Sequence, residues 1–396
     1  MKSSHATNRT DAQLRRVRIS PKGVYGFMDD LLGDSLHAKR VLSIAMAVTG
    51  LMQAASLALH AIGRGLAAAA GRNAKHGTKQ VDRLLSNDGF ALWRLFDPWV
   101  RFVVAARREL VVALDWTEFH KDGQATICLY LVTRHGRATP LVWKTVDKAT
   151  LAGRRSSYER EVIERLHAIL PPEVEVTVLA DRGFGAQALY AYLHYLGWDD
   201  VIRFRQDIAV TDAKGETRAA SKWLAKTGRA KMLKGARVTQ DKTAVPAVVL
   251  VHDKRMKEAW CLVTSRVELG APQVAKLYGR RFSIEETFRD IKNGNVGMGL
   301  SATHIHSTAR RDRMLFLAAI AYALLVLLGA AGERCGLDRM LKVNTVKRRT
   351  LSLYNQGCFW YEAIPAMPED RFTTLMMAYD GCIREHAFFR QIFGIL

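Results

Sequence analysis

The spacing of apolar residues changes several times along the chain, and each change predicts a change of element. Residues 1–36 are polar, basic and weakly periodic, and read as a loose arm with short helices. From His37 to about Leu66 the apolar positions recur at helical spacing, with a break expected at Gly63, Arg64 and Gly65. A basic, glycine-containing stretch from Gly71 to Lys79 follows. Then come Val81 to Leu85, a cap signal at Ser86, Asn87 and Asp88, and an aromatic helix with Phe90, Trp93 and Phe96. At Glu109 the period becomes that of strands: Glu109 to Asp115, Thr126 to Thr133, and Pro140 to Val146, the last two joined by a turn at Arg134, His135, Gly136 and Arg137. Ser156 to Leu170 is amphipathic and helical, stopped by Pro171 and Pro172. A strand from Val174 to Asp181, a helix from Ala186 to Leu196 and a strand from Asp200 to Arg205 complete this stretch. Residues 207–258 are polar, with basic turns (Lys231, Lys234, Arg237) and β-like runs such as Ala247 to Val251, before Ala259 to Thr264 returns to an apolar strand. Tyr278 to Lys292 reads as one helix, Met314 to Gly332 as an uncharged helix, and residues 335–396 as a helical tail with a basic cluster at Lys347, Arg348 and Arg349.

Composition narrows the class. The 396 residues are too many for one compact core, and 49% hydrophobic content excludes wholesale disorder. Lys plus Arg number 59 against 38 Asp plus Glu, a net charge of +21 spread over several segments, which favours a polyanionic partner, most simply nucleic acid. The five cysteines, Cys128, Cys261, Cys335, Cys358 and Cys382, form no C-x-x-C pair and argue for a reducing compartment, against a zinc site or disulfide frame. The first twenty residues lack an apolar core, so no signal peptide is expected. Met314 to Gly332 is long enough to span a bilayer, but stands alone in a highly charged chain; burial against a sheet is the preferred reading.

The candidate chemistry centres on the stretch from Tyr278 to Lys292. At about 100° per residue, Tyr278, Arg281, Glu285 and Lys292 fall within about 60° of one another, while Lys276, Glu286 and Asp290 are expected to face water. Arg281 and Glu285 could be a plain i,i+4 ion pair, but that leaves Tyr278 and Lys292 on the same line unexplained. A carboxylate ringed by cations suits a site for metal and phosphate. Asp115 and Asp181 each end an apolar strand; each alone could cap a turn. Together with Glu285 they make three carboxylates from separated segments, able to hold two Mg²⁺ ions, with Mn²⁺ able to substitute, for in-line phosphodiester displacement.

The spacing Tyr-x2-Arg-x3-Glu-x6-Lys, met at Tyr278, Arg281, Glu285 and Lys292, resembles the signature helix of the insertion-sequence-four family of bacterial DDE transposases. Asp115, Trp116 and Thr117, and Ala180 to Phe184, look like that family's two aspartate motifs. The resemblance covers roughly residues 37–330. It implies that Asp115, Asp181 and Glu285 are catalytic and bind metal, and that Tyr278, Arg281 and Lys292 grip phosphates. It also aligns Trp260 with a residue that stacks a flipped base, although core packing explains a tryptophan in an apolar strand equally well. Arg182 could contact phosphate or form a surface ion pair. Implied further are cut-and-paste transposition of double-stranded DNA with terminal inverted repeats, joining to target DNA, a hairpin intermediate, a homodimer in a synaptic complex, no membrane partner, and a cytoplasmic, nucleoid-associated location.

The order of three strands, helix, strand, helix, strand agrees with that resemblance. The expected fold class is α/β: a ribonuclease-H-like mixed sheet flanked by helices, with a β-rich insertion and an N-terminal helical DNA-binding domain. The domains expected are 1–105 (helical, DNA-binding, although a plain helical bundle fits the pattern nearly as well), 106–206 (catalytic core, first part), 207–258 (insertion), 259–334 (core, second part) and 335–396 (helical, a candidate for dimerisation). Rival readings are a catalytically inactive, domesticated DNA-binding regulator and a structure-selective nuclease on the same core. Gly183 to Ala188 satisfies a loose dinucleotide fingerprint, but lies mid-domain with Asp181 where pyrophosphate would sit. The twelve histidines, His304 and His306 among them, show no ligand spacing, and no G-x-S-x-G occurs.

Overall fold

The computed structural model describes residues 21–71, 73–133, 136–292, 298–300 and 303–384. Most of the expected arm (residues 1–20), Arg134 and His135 of the turn, the side chain of Lys292, and residues 385–396 of the tail lie outside them.

The described residues begin with the helices α1 (Pro21–Leu32), α2 (Ala38–Ala54), α3 (Leu59–Ala70), α4 (Ala74–Leu85) and α5 (Leu92–Val104). The expected break at Gly63 to Gly65 is absent. The chain instead bends by 101° between α2 and α3, where Ala55 adopts a left-handed conformation with φ 45°. The glycines serve packing. A Cβ on Gly63 would lie 2.5 Å from the backbone of Thr78, and one on Gly77 2.3 Å from the Gly63 carbonyl. Only bare backbone allows α3 and α4 to cross this closely, so a local helix breaker is retained inside a helix.

One ten-stranded mixed sheet follows, in the order β3-β2-β1-β4-β5-β10-β9-β8-β6-β7. Its first half is β1 (Glu109–Phe119), β2 (Gln124–Val132), β3 (Ala138–Asp147), β4 (Glu175–Ala180) and β5 (Asp199–Phe204). The first three are antiparallel; β4 pairs parallel to β1, and β5 parallel to β4. The crossovers carry α6 (Arg155–Ile169) and α7 (Gln187–Tyr195). The β-rich segment does not stand apart. Its strands β6 (Ala209–Thr211), β7 (Thr217–Ala219), β8 (Lys231–Val238) and β9 (Thr243–Val251) extend the same sheet, and β10 (Trp260–Thr264) joins the halves antiparallel to both β5 and β9.

Two corrections bear on the site. Asp115 does not end its strand: β1 runs on to Phe119, because Trp116 to Phe119 continue the ladder with β2. Nor is Tyr278 to Lys292 one helix. α8 (Ala271–Gly279) passes through a 3₁₀ turn at Arg280–Phe282 into α9 (Ser283–Lys292).

Behind the sheet, α10 (Thr308–Arg334) is buried without interruption from Phe316 to Gly332. It packs against β3, α2, α11 (Leu353–Ala363) and α12 (Glu369–Arg384). The apolar run is therefore enclosed by the protein's own elements. The arginines preceding it are consumed internally: Arg310 pairs with Asp82 at 2.8 Å, Arg311 with Asp122, and Arg313 donates to the Leu85 carbonyl at 2.8 Å.

Candidate active site

The first two acids are brought together by strand register. The parallel ladder of β1 and β4 ends at Leu114 and Ala180, so Asp115 and Asp181 are the next residues on neighbouring strands. Asp181 caps the 3₁₀ turn after β4, its Oδ1 accepting the Gly183 amide at 2.8 Å.

The third acid comes from α9, which is pinned to the opposite side of β1 through β3 and α10. The Ala138 amide donates to Thr287 Oγ1 at 2.7 Å. Asp290 accepts from Arg137 Nε at 2.7 Å and from the Tyr322 hydroxyl at 3.2 Å. Asp290 is thus 2% exposed rather than facing water. Its partners lie far away in sequence, beyond the reach of helical periodicity. Glu285, one turn earlier, keeps a side chain 60% exposed.

Arg281 lies where the fields of the three acids meet. Its guanidinium is 3.6 Å from Asp115 and 4.0 Å from Glu285, and it feels the charge of Asp181. The residue is 8% exposed, and its Nε, fully enclosed, has no hydrogen-bond partner. Burial acts to lower its pKa, but Tyr278, Asp115 and Asp181 outweigh that and hold it above the ordinary arginine value. Tyr278, at the end of α8 and three residues before Arg281, is near enough for its phenol to act on the guanidinium.

Tyr278 is 1% exposed, its pKa raised by burial, so its phenol supports Arg281 rather than lining an open surface. Trp260 meets it edge-on, ring centroids 5.0 Å apart, and stacks on Phe282 at 5.8 Å. Trp260 is half-buried and Phe282 is 38% exposed.

Arg182 is exposed and 3.5 Å from Glu258. Both line a cleft of about 610 Å³ with Arg203, Arg205 and Gln206. Arg203 donates to Glu258 at 2.7 Å, and its charge reaches Tyr278. Arg203 and Glu258 were not anticipated. Strand period was the available signal, since it puts Arg203 in β5 and Arg205 just beyond it on one face.

The donor set is three carboxylates, with no sulfur or imidazole, which suits a hard divalent cation. Yet among the described residues no group of three or more His, Cys, Asp or Glu stands close enough to hold a metal ion. The acids fit the chemistry of the ion, and the guanidinium of Arg281 lies among them.

A second feature lies in the helical region. A cleft of about 1070 Å³ is lined by His37, Lys39, Arg40, His76, Lys79 and Arg83, with no acid among its lining residues. His37 and Asn73, which also line it, cap the N-termini of α2 and α4, adding partial positive charge from two helix ends.

Residues 148–324 match the family model described as the transposase DDE domain. The matched segment holds Asp181, Trp260, Tyr278, Arg281 and Glu285, and begins after Asp115. The match supports a DDE transposase, with the DNA binding and nuclease-type chemistry that this family implies. No curated protein matches the chain.

Proposed function

We propose that this protein is a DNA transposase that cuts a phosphodiester at each end of its own mobile element and joins the freed 3′-hydroxyl to target DNA. The observation that supports the reading is that one buried arginine, Arg281, lies 3.6 Å from Asp115 and 4.0 Å from Glu285 and feels the charge of Asp181, three acids from separate elements. The order β3-β2-β1-β4-β5 supports a ribonuclease-H-like core for that site.

Asp115, Asp181 and Glu285 would hold Mg²⁺ or Mn²⁺. Two such ions, when bound, activate the attacking oxygen and stabilise the leaving one. The chain's own groups orient the substrate. The unpartnered Nε of Arg281 is a donor awaiting an acceptor, and a phosphate oxygen supplies one. Arg182, Arg203 and Lys292 neutralise neighbouring phosphates. Trp260 and the exposed face of Phe282 offer a stacking platform for an extruded base, consistent with a hairpin step. The acid-free cleft between α2 and α4 binds the duplex backbone of the element end, and two copies act across two ends.

A plasmid carrying the DNA that flanks the coding region, incubated with the protein and Mg²⁺, tests this. Cuts at the flanks followed by joined products are expected. Cutting without joining would indicate a nuclease. Binding without cutting would favour the second reading, a DNA-binding regulator without chemistry, for which the pairing of Arg281 with Asp115 and Glu285 is the specific support.

A further inference from the structure

Arg137, half-buried, and Arg281, buried, pair with acids in different ways. Arg137 donates its Nε to Asp290 at 2.7 Å, the length of a charge-assisted hydrogen bond, and Tyr322 completes the carboxylate's shell. Arg281 approaches Asp115 only to 3.6 Å and Glu285 only to 4.0 Å, and its enclosed Nε has no partner. Arg137 donates through Nε to Asp290 and through a terminal nitrogen to the Gly136 carbonyl, whereas Arg281 is held by the fields of the acids and of Tyr278 without a close carboxylate hydrogen bond. It also sits on a 3₁₀ turn between two helices, where hydrogen-bond geometry is poorer and a change of direction costs less.

We infer that Arg281 is an internal counter-cation that keeps the acidic site closed to divalent metal until a DNA phosphate draws it away, so that metal and DNA bind cooperatively. The inference rests on reading Asp115, Asp181 and Glu285 as the metal ligands. With Arg281 among them, an incoming cation meets a like charge within about 4 Å. A phosphate presents two oxygens to the planar fork, a better match than carboxylates beyond hydrogen-bond reach. Once the guanidinium turns to phosphate, all three acids lose their positive neighbour and regain their attraction for a cation. Because binding linkage is reciprocal, metal must strengthen DNA binding by the same factor that DNA strengthens metal binding.

The test is Mn²⁺ binding to the full chain, followed by the electron paramagnetic resonance of free Mn²⁺, with and without a short duplex taken from the flanking DNA. The double variant Asp115→Asn, Glu285→Gln serves as the blank for Mn²⁺ held by DNA itself. Wild type is expected to bind Mn²⁺ roughly 5–150-fold more tightly with duplex present, and duplex more tightly with Mn²⁺ by the same factor. Arg281→Gln should bind Mn²⁺ without DNA as tightly as wild type does with it, and the coupling should vanish. Arg281→Lys, which keeps the charge, should remain weak for Mn²⁺ alone. Equal wild-type affinity with and without duplex overturns the inference even if the Arg281 variants do not fold. So does an Arg281→Gln protein that folds but binds Mn²⁺ no better than wild type. In either case, loss of Mn²⁺ binding in the acid double variant leaves the metal-site reading standing. If instead the double variant binds Mn²⁺ like wild type, the reading and the inference fall together.

Discussion

Glu285 and Asp290 are five residues apart on α9 and meet opposite fates. Glu285 stays open beside Arg281, whereas Asp290 is sealed between Arg137 and Tyr322. Helical spacing alone had put Asp290 in water, because its cationic partner lies on the lead-in to β3, distant in sequence. Breaking the pair with Asp290→Ala leaves a half-buried guanidinium without its closest carboxylate, and a loss of about 3 kcal/mol is expected in urea unfolding. Tyr322→Phe removes one hydrogen bond from the same network and should cost about 1 kcal/mol. Asp312 gives a pH signature. Burial pushes its carboxyl up to about 7, despite two hydrogen bonds from Thr145. The folded state therefore holds the Asp312 proton where the unfolded chain releases it. Its contribution is fully present below the unfolded pKa of about 4. It is lost as pH rises toward about 7. Asp312→Asn, which keeps the accepting oxygen, should flatten that decline in urea midpoints measured across the window.

At the scale of elements, the strands were legible and the helix joints were not. Runs such as Thr126 to Thr133 and Ala247 to Val251 carry their own signal in β-branched and apolar side chains, and they appear in β2 and β9. Gly63 and Gly65 looked like a break because local propensity penalises glycine in helices; the close approach of α3 to α4 at Gly63 and to α2 at Gly65 overrides it. Gly77→Ala should therefore destabilise the helical region, by roughly 1–3 kcal/mol as overpacking, read as a lowered melting temperature. Likewise, the 3₁₀ turn at Arg280–Phe282 has no marker such as proline. The cleft between α2 and α4 makes a separate prediction. Lys39→Ala and Arg83→Ala should each weaken duplex binding uniformly across sequences and lower the slope of log affinity against log salt by about 1. An unchanged slope would take the cleft out of the interface.

For the whole molecule, the net charge of +21 pointed toward nucleic acid, but not every basic cluster contributes to that surface. Arg310, Arg311 and Arg313 tie the helical region to the sheet, and Arg349 pairs with Glu333 at 2.5 Å. Other basic side chains line the helical cleft and the cleft that holds Arg182, Arg203 and Arg205. The candidate acids were legible as residues, because strand patterns and the spacing around Glu285 marked them. The approach of Arg281 to Asp115 was not, since it depends on a turn and a parallel register that no local pattern specifies. The central claim is that Asp115, Asp181 and Glu285 form one chemical unit. The direct measurement is Mg²⁺-dependent cleavage of a plasmid carrying the flanking DNA, by wild type and by Asp115→Asn, Asp181→Asn and Glu285→Gln, with duplex retention measured on the same preparations. The account predicts that each variant loses cleavage to background while retaining DNA. Cleavage at the wild-type rate by any one of them would contradict it.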